Sequence, residues 1–117
     1  MLAWIISLVM VGTPLPFSEL VIKLDVKDIW ITKLAECESM GSTTIRILDT
    51  NGKYSYGLLM FQMKTWLFYG KKFGATRENI YDGELQRKVA RKILDDGGWR
   101  HWWTCSKAVT AKLGAYE

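Results

Sequence analysis

The chain has one histidine and two cysteines among its 117 residues, and these scarcities exclude several chemistries at once. With no Cys-x-x-Cys pair and no histidine cluster, neither a metal site nor a cofactor is expected. The single histidine, His101, has no Ser or Cys partner nearby in sequence and sits among aromatics, which argues for a structural or surface role. No compact Lys/Arg tract occurs either. Sixteen basic residues against twelve acidic ones leave a formal charge of +4, but the surplus is scattered from Lys64 to Lys112, so nucleic acid is not an expected partner. A mildly basic surface suits polyanions in general, or only marks solubility.

No apolar run reaches the roughly 20 residues that a spanning helix needs. The longest, Met1 to Val11, leads into Gly12-Thr13-Pro14-Leu15-Pro16 and has the length of an export-signal core or signal-anchor, able to associate transiently with a membrane. It lacks the usual positive start, since no Lys or Arg precedes Lys23, and no small-x-small site precedes Pro14. A buried N-terminal segment is the alternative. We therefore set apart residues 1–16 as a signal or hydrophobic segment and 17–27 as a linker, with Leu20 to Leu24 a linker or short strand. Residues 28–117 form the domain. A chain of this size, 49% apolar and 24% charged, has room for one globular domain and no second. It carries no internal repeat and no low-complexity tract.

Helical spacing of Trp30, Ile31, Leu34 and Ala35 predicts a first helix from Asp28 to Ser39. Glu38 falls seven residues after Ile31 and four after Leu34, so it continues the apolar stripe, whereas Glu36 shares the opposite face with Thr32 and Lys33. The two acids are not equivalent. A carboxyl at the end of an apolar stripe loses solvation and its pKa rises toward the range useful to a general acid. The plainer alternative is a helix-terminal Glu that bends to solvent or to a backbone N–H.

Gly41 to Tyr54, with Asp49 and the turn pair Asn51-Gly52, predicts a loop or small hairpin in which Ile45, Ile47 and Tyr54 supply short strands. The dense run from Tyr56 to Tyr69 makes the next element, ended by Gly70 and Gly74. A third helical region spans Asp82 to Leu94, with Asp82 as N-cap and Leu85, Val89, Ala90, Ile93 and Leu94 facing inward. Its outward face is assigned Gln86, Arg87, Lys88, Arg91 and Lys92, and Gly97-Gly98 ends it. Cys37 and Cys105 bracket most of the domain. In an oxidising compartment they pair and stabilise it by about 4 kcal/mol on the chain-entropy model, and in a reducing one they are ordinary buried thiols.

The order of these pieces is more specific than any one of them. Glu36-Cys37-Glu38-Ser39 ends a helix. A polar loop with Asn51-Gly52 follows, then Tyr56-Gly57-Leu58-Leu59, Phe61-Gln62, Thr65-Trp66 and the closing Gly98-Trp99-Arg100-His101-Trp102-Trp103-Thr104-Cys105. From Ile29 to Cys105 this series resembles the lysozyme-like superfamily, and within it the soluble lytic transglycosylases and resuscitation-promoting-factor domains of bacterial cell-wall enzymes. The resemblance implies a single, mainly α (α+β) lysozyme-like domain with a small β or loop element after the catalytic helix. It also implies a Cys37–Cys105 disulfide, a secreted or cell-wall-associated monomer, and peptidoglycan glycan strands as substrate. Two departures stand out: Met60 occupies a position where these families often carry Gln, with Gln62 a replacement, and Met40-Gly41 replaces their Gly-Gly-Asn.

On that resemblance Glu38 is the expected acid, and Ser39, Tyr54, Ser55, Tyr56, Gly57, Gln62, Thr65 and Trp66 are the expected substrate contacts. Aromatic faces suit pyranose rings, while hydroxyl and N–H groups suit their polar edges. Phe61, Trp99 and Trp103 are read as core, and Met60 and Met63 as packing residues. A hydrolytic mechanism adds a second carboxylate. Ser55 stands where animal-type lysozymes carry theirs, and the other candidate, Asp49, is also a natural turn former. The missing match favours a lytic transglycosylase, in which one glutamate donates a proton and then accepts one from the sugar's own C6 hydroxyl. A hydrolytic muramidase is the near alternative, and a silent glycan-binding module is the alternative from another class.

Overall fold

The computed structural model describes residues 25–117; the proposed signal segment and most of the proposed linker lie outside them. Helix α1 spans Val26–Ser39, earlier than the apolar spacing predicts, because Asp25 caps it by accepting the Lys27 backbone N–H at 3.0 Å. Asp25 also pairs with Arg91, and Lys27 with Asp95 at 2.9 Å, both across to a later helix. Asp25 and Lys27 thus tie the start of α1 to that helix. The stripe of Trp30, Ile31, Leu34 and Ala35 is buried as expected.

The polar stretch that follows folds into a hairpin. Strands β1 (Arg46–Leu48) and β2 (Tyr54–Tyr56) pair antiparallel with Leu48 opposite Tyr54, and β3 (Phe61–Gln62) adds to β2 with Ser55 opposite Gln62. At the hairpin tip Gly52 takes a φ of +80° and donates its N–H to the Asp49 carbonyl, the left-handed geometry that the Asn51-Gly52 pair makes accessible. Helix α2 (Met63–Gly70) follows directly and ends in a 3-10 turn, Lys71–Phe73, closed by left-handed Gly74.

Helix α3 (Gly83–Asp95) is capped by Asp82, which accepts the Leu85 N–H at 3.1 Å, as expected. A 3-10 turn, Trp99–Trp102, leads into α4 (Trp103–Leu113). The core gathers α1, α3 and α4 around Trp66, Phe61, Leu59 and Trp102. The Cys37–Cys105 disulfide, with Cα atoms 5.7 Å apart across 68 positions, joins α1 to α4.

Two expectations about the core are corrected. Gln86, assigned to the outward face of α3, is wholly buried. Its side-chain oxygen accepts the Leu59 N–H at 2.7 Å and its amide donates to the carbonyls of Tyr56 and Ile80, so both polar atoms of the side chain are partnered inside. Trp103, assigned to the core, is 50% exposed; the inward place belongs to Trp102, whose indole N–H reaches the Leu59 carbonyl at 2.7 Å.

Candidate active site

Glu38 lies in the last turn of α1, at the open end of the apolar stripe, where a cleft of about 310 Å³ runs between the helix and the sheet. Asp49, Ser55, Gln62 and Thr65 line it with Glu38, and Met60, Phe61, His101 and Trp102 complete the walls. The Glu38 carboxyl is half-buried, and its pKa is raised to about 7, first by burial and second by the negative charge of Asp49. Glu36, two residues earlier, is exposed and pairs with Lys33 at 3.3 Å. The inequality read from helical phase is the one the fold contains.

Asp49 stands at the β1 end of the hairpin and accepts hydrogen bonds from the Ser55 hydroxyl and, at 2.8 Å, from the Gln62 side-chain amide. Gln62 is itself held by Asn51, which accepts at 3.3 Å and donates at 3.2 Å. The Asp49 carboxylate is thus fixed by two donors on the sheet, while its backbone closes the hairpin turn with Gly52 and Lys53.

Next to the cleft, residues 57–60 make a tight turn whose last residue, Met60, lines it. Gly57 and Met60 have φ values of +75° and +53°, and the carbonyls and N–H between them are taken by side chains of three different elements. Ser39 from α1 donates to the Leu58 carbonyl at 2.7 Å, Gln86 from α3 holds Tyr56 and Leu59, and Trp102 holds the Leu59 carbonyl. A Cβ on Gly57 would lie 2.6 Å from the Gln86 amide nitrogen, so only glycine fits there.

The sequence-derived contacts divide accordingly. Glu38, Asp49, Ser55, Gln62 and Thr65 meet in the cleft. Ser39 does not: it is buried, with its hydroxyl on the Ala35 and Leu58 carbonyls, and ties α1 to the turn at 57–60. Gly57 contributes backbone geometry only. Trp66 is fully buried in the core, its indole N–H on the Thr76 carbonyl, and is out of reach of any ligand in the cleft. Tyr54 and Tyr56 flank Ser55 on β2, and strand alternation sends them to the opposite face, where they line a different groove. Sequence reasoning missed three positions. His101 and Trp102 form a cleft wall with no local signal. Gln86 does carry one: with Val89, Ala90 and Ile93 it falls at helical spacing inside the apolar stripe, and only its polarity argued for the outward face.

A carboxyl with a pKa near 7 can hold a proton at neutral pH, release it to a leaving oxygen and take one back. Among the described residues no three or more His, Cys, Asp or Glu side chains come together as metal ligands, and no helix is long and apolar enough to cross a membrane.

A mainly helical domain with a three-stranded antiparallel sheet, and a half-buried glutamate at the cleft end of its first helix, defines the lysozyme-like class. Within that class the chain belongs to the transglycosylase-like domain family, whose family model matches residues 26–105. It is therefore a glycosidic-bond-cleaving domain of the kind that acts on peptidoglycan. Together with the Cys37–Cys105 disulfide, this fits an extracellular location. No curated protein and no solved structure matches the chain.

Proposed function

We propose that the protein is a lytic transglycosylase that cleaves the β-1,4 bond between N-acetylmuramic acid and N-acetylglucosamine, with Glu38 as both acid and base. The observation that carries this reading is the half-buried Glu38 in the cleft, its pKa raised to about 7. Protonated Glu38 donates to the glycosidic oxygen as the bond to the anomeric carbon breaks, and positive charge develops on the sugar ring. The resulting carboxylate then accepts the proton of the muramoyl C6 hydroxyl, whose oxygen closes on the anomeric carbon. The product is a 1,6-anhydromuramoyl end, and no water is consumed. Thr65, on the cleft wall, supplies a hydroxyl for the sugar's polar edge, and Gln62, whose amide is taken by Asp49 and Asn51, holds the wall in place.

A second reading has an observation of its own. Asp49 shares the cleft with Glu38 and is oriented by Ser55 and Gln62, the arrangement a two-carboxylate hydrolase needs for a stabiliser, nucleophile or base. Mass spectrometry of the muropeptides released from purified sacculi separates the two. Anhydro ends support the transglycosylase, reducing ends support the hydrolytic muramidase, and no release leaves neither.

A further inference from the structure

The sheet carries a groove on its other face as well. Alternation along β2 turns Ser55 toward the catalytic cleft and Tyr54 and Tyr56 away from it, and at the next junction Gln62 lines the cleft while Met63 lines the other side. The groove on that other side has a volume of about 440 Å³. The two tyrosines, Met63 and Leu67 wall it, Lys53, Lys64 and Arg77 rim it, and no carboxylate lines it.

Among the described residues none of the three cations has a salt-bridge partner; the salt bridges there use Lys27, Lys33, Arg87, Arg91 and Lys92. A fourth cation, Arg46, lies over the Tyr54 ring at 4.3 Å and adds to the same positive field. Three like charges around one depression repel one another, and an anion placed among them relieves that repulsion. The tyrosine rings, with centroids 6.3 Å apart, add flat surface between the charges, of the kind that covers sugar or polyol CH groups. The catalytic cleft is the electrostatic opposite, lined by Glu38 and Asp49 with no Lys or Arg.

We propose that this groove is a separate binding site for an anionic cell-wall glycopolymer. Its phosphodiester or carboxylate groups pair with Lys53, Lys64 and Arg77, and its sugar or polyol units lie against Tyr54 and Tyr56. The choice of a cell-wall polymer over other polyanions rests on the peptidoglycan reading of the catalytic cleft. The site tethers the domain to the anionic polymer of the wall while the cleft on the other face works on the neutral glycan backbone.

The test is equilibrium binding by titration calorimetry, using the full chain carrying Glu38→Gln so that cleavage cannot contribute. The probes are poly(glycerol phosphate), a glucuronate-containing polysaccharide, neutral chitohexaose and oligodeoxythymidylate. One of the two anionic glycopolymers is expected to bind saturably in 50 mM salt, and which one does so identifies phosphate or carboxylate as the recognised group. Three charge contacts imply a loss of roughly 40-fold in affinity between 50 and 300 mM salt. The triple variant K53E/K64E/R77E is expected to weaken binding at least about 10-fold, whereas Lys71→Glu with Lys72→Glu, outside the groove, changes it less than about 3-fold. If the triple variant melts early, Lys64→Gln with Arg77→Gln serves instead and should give a loss of several fold. Equal losses in the groove and control variants would overturn the proposal. So would no saturable binding of either anionic glycopolymer, or tighter binding of oligodeoxythymidylate or chitohexaose. Muropeptide release by the otherwise wild-type groove variant reports separately on the cleft, so a failed tether and a failed catalytic assignment give different results.

Discussion

Replacing Glu38 with Gln should abolish glycan cleavage and, in alkaline solution, make the domain more stable. The carboxyl's pKa rises from the ordinary 4.5 to about 7, through burial first and the Asp49 charge second. The folded state therefore holds this proton more tightly than the unfolded chain does. Folding pays nothing below pH 4.5, loses stability as pH rises from there toward 7, and carries the full penalty above 7. At 1.36 kcal/mol per pH unit the ceiling on that penalty is about 3 kcal/mol. Because the side chain is only half-buried, solvent screening reduces it to about 1–2 kcal/mol. Glutamine keeps the shape and cannot ionise, so the variant escapes the penalty. For a domain of this size that corresponds to a rise of about 5–10 °C in Tm at pH 8, and none at pH 4, where both side chains are neutral. Thermal melts of the two proteins at pH 4, 6 and 8, paired with muropeptide release near pH 6, measure both halves. Loss of the acid should cost at least about 10² to 10⁴ in rate, and more where the same group also serves as base. A variant less stable than the parent at pH 8, or stabilised equally at pH 4 and pH 8, would refute the buried-carboxyl argument. A variant that still cleaves would refute the catalytic one.

Asp49→Asn removes the neighbouring negative charge but leaves the larger effect of burial. The alkaline limb of the pH–rate profile should therefore move to lower pH, with little change in the maximum rate if one glutamate does the chemistry; inactivation matching that of Glu38→Gln at unchanged Tm would show a two-carboxylate hydrolase. Gln86→Leu strips partners from the Leu59 N–H and from the Tyr56 and Ile80 carbonyls. At about 1–3 kcal/mol for each buried group left unpaired, a loss of roughly 3–5 kcal/mol is expected in urea unfolding, and a loss below about 1 kcal/mol would mean that water replaces the amide. Cys105→Ser should lower stability by about 4 kcal/mol through the opened 68-residue loop, and an unfolding midpoint equal to that of the reduced parent would attribute the whole effect to the crosslink.

Periodicity alone determined much of this protein. The spacing of Trp30, Ile31, Leu34 and Ala35 made α1 and separated Glu38 from Glu36, because the face a residue takes on a helix follows from its position in the turn. Asn51-Gly52 made the hairpin and Asp82 the start of α3, since each supplies a local geometry or hydrogen bond that needs no distant partner. What lay beyond the sequence is what depends on contacts between elements. Alternation says that Ser55 opposes Tyr54 and Tyr56 across the sheet, but not which face lines the cleft that holds Glu38. Gln86 holds a place in the apolar stripe and yet reads as solvent-facing from sequence, because its partners Leu59 and Tyr56 lie 27 and 30 positions away. The same holds for the aromatic tail. Trp102 and Trp103 are adjacent and chemically identical, and the first is buried against Phe61, where the Leu59 carbonyl, 43 positions upstream, takes its indole N–H. Local spacing sets the direction of a side chain, and only the packed chain supplies the partner that makes burial of a polar atom favourable.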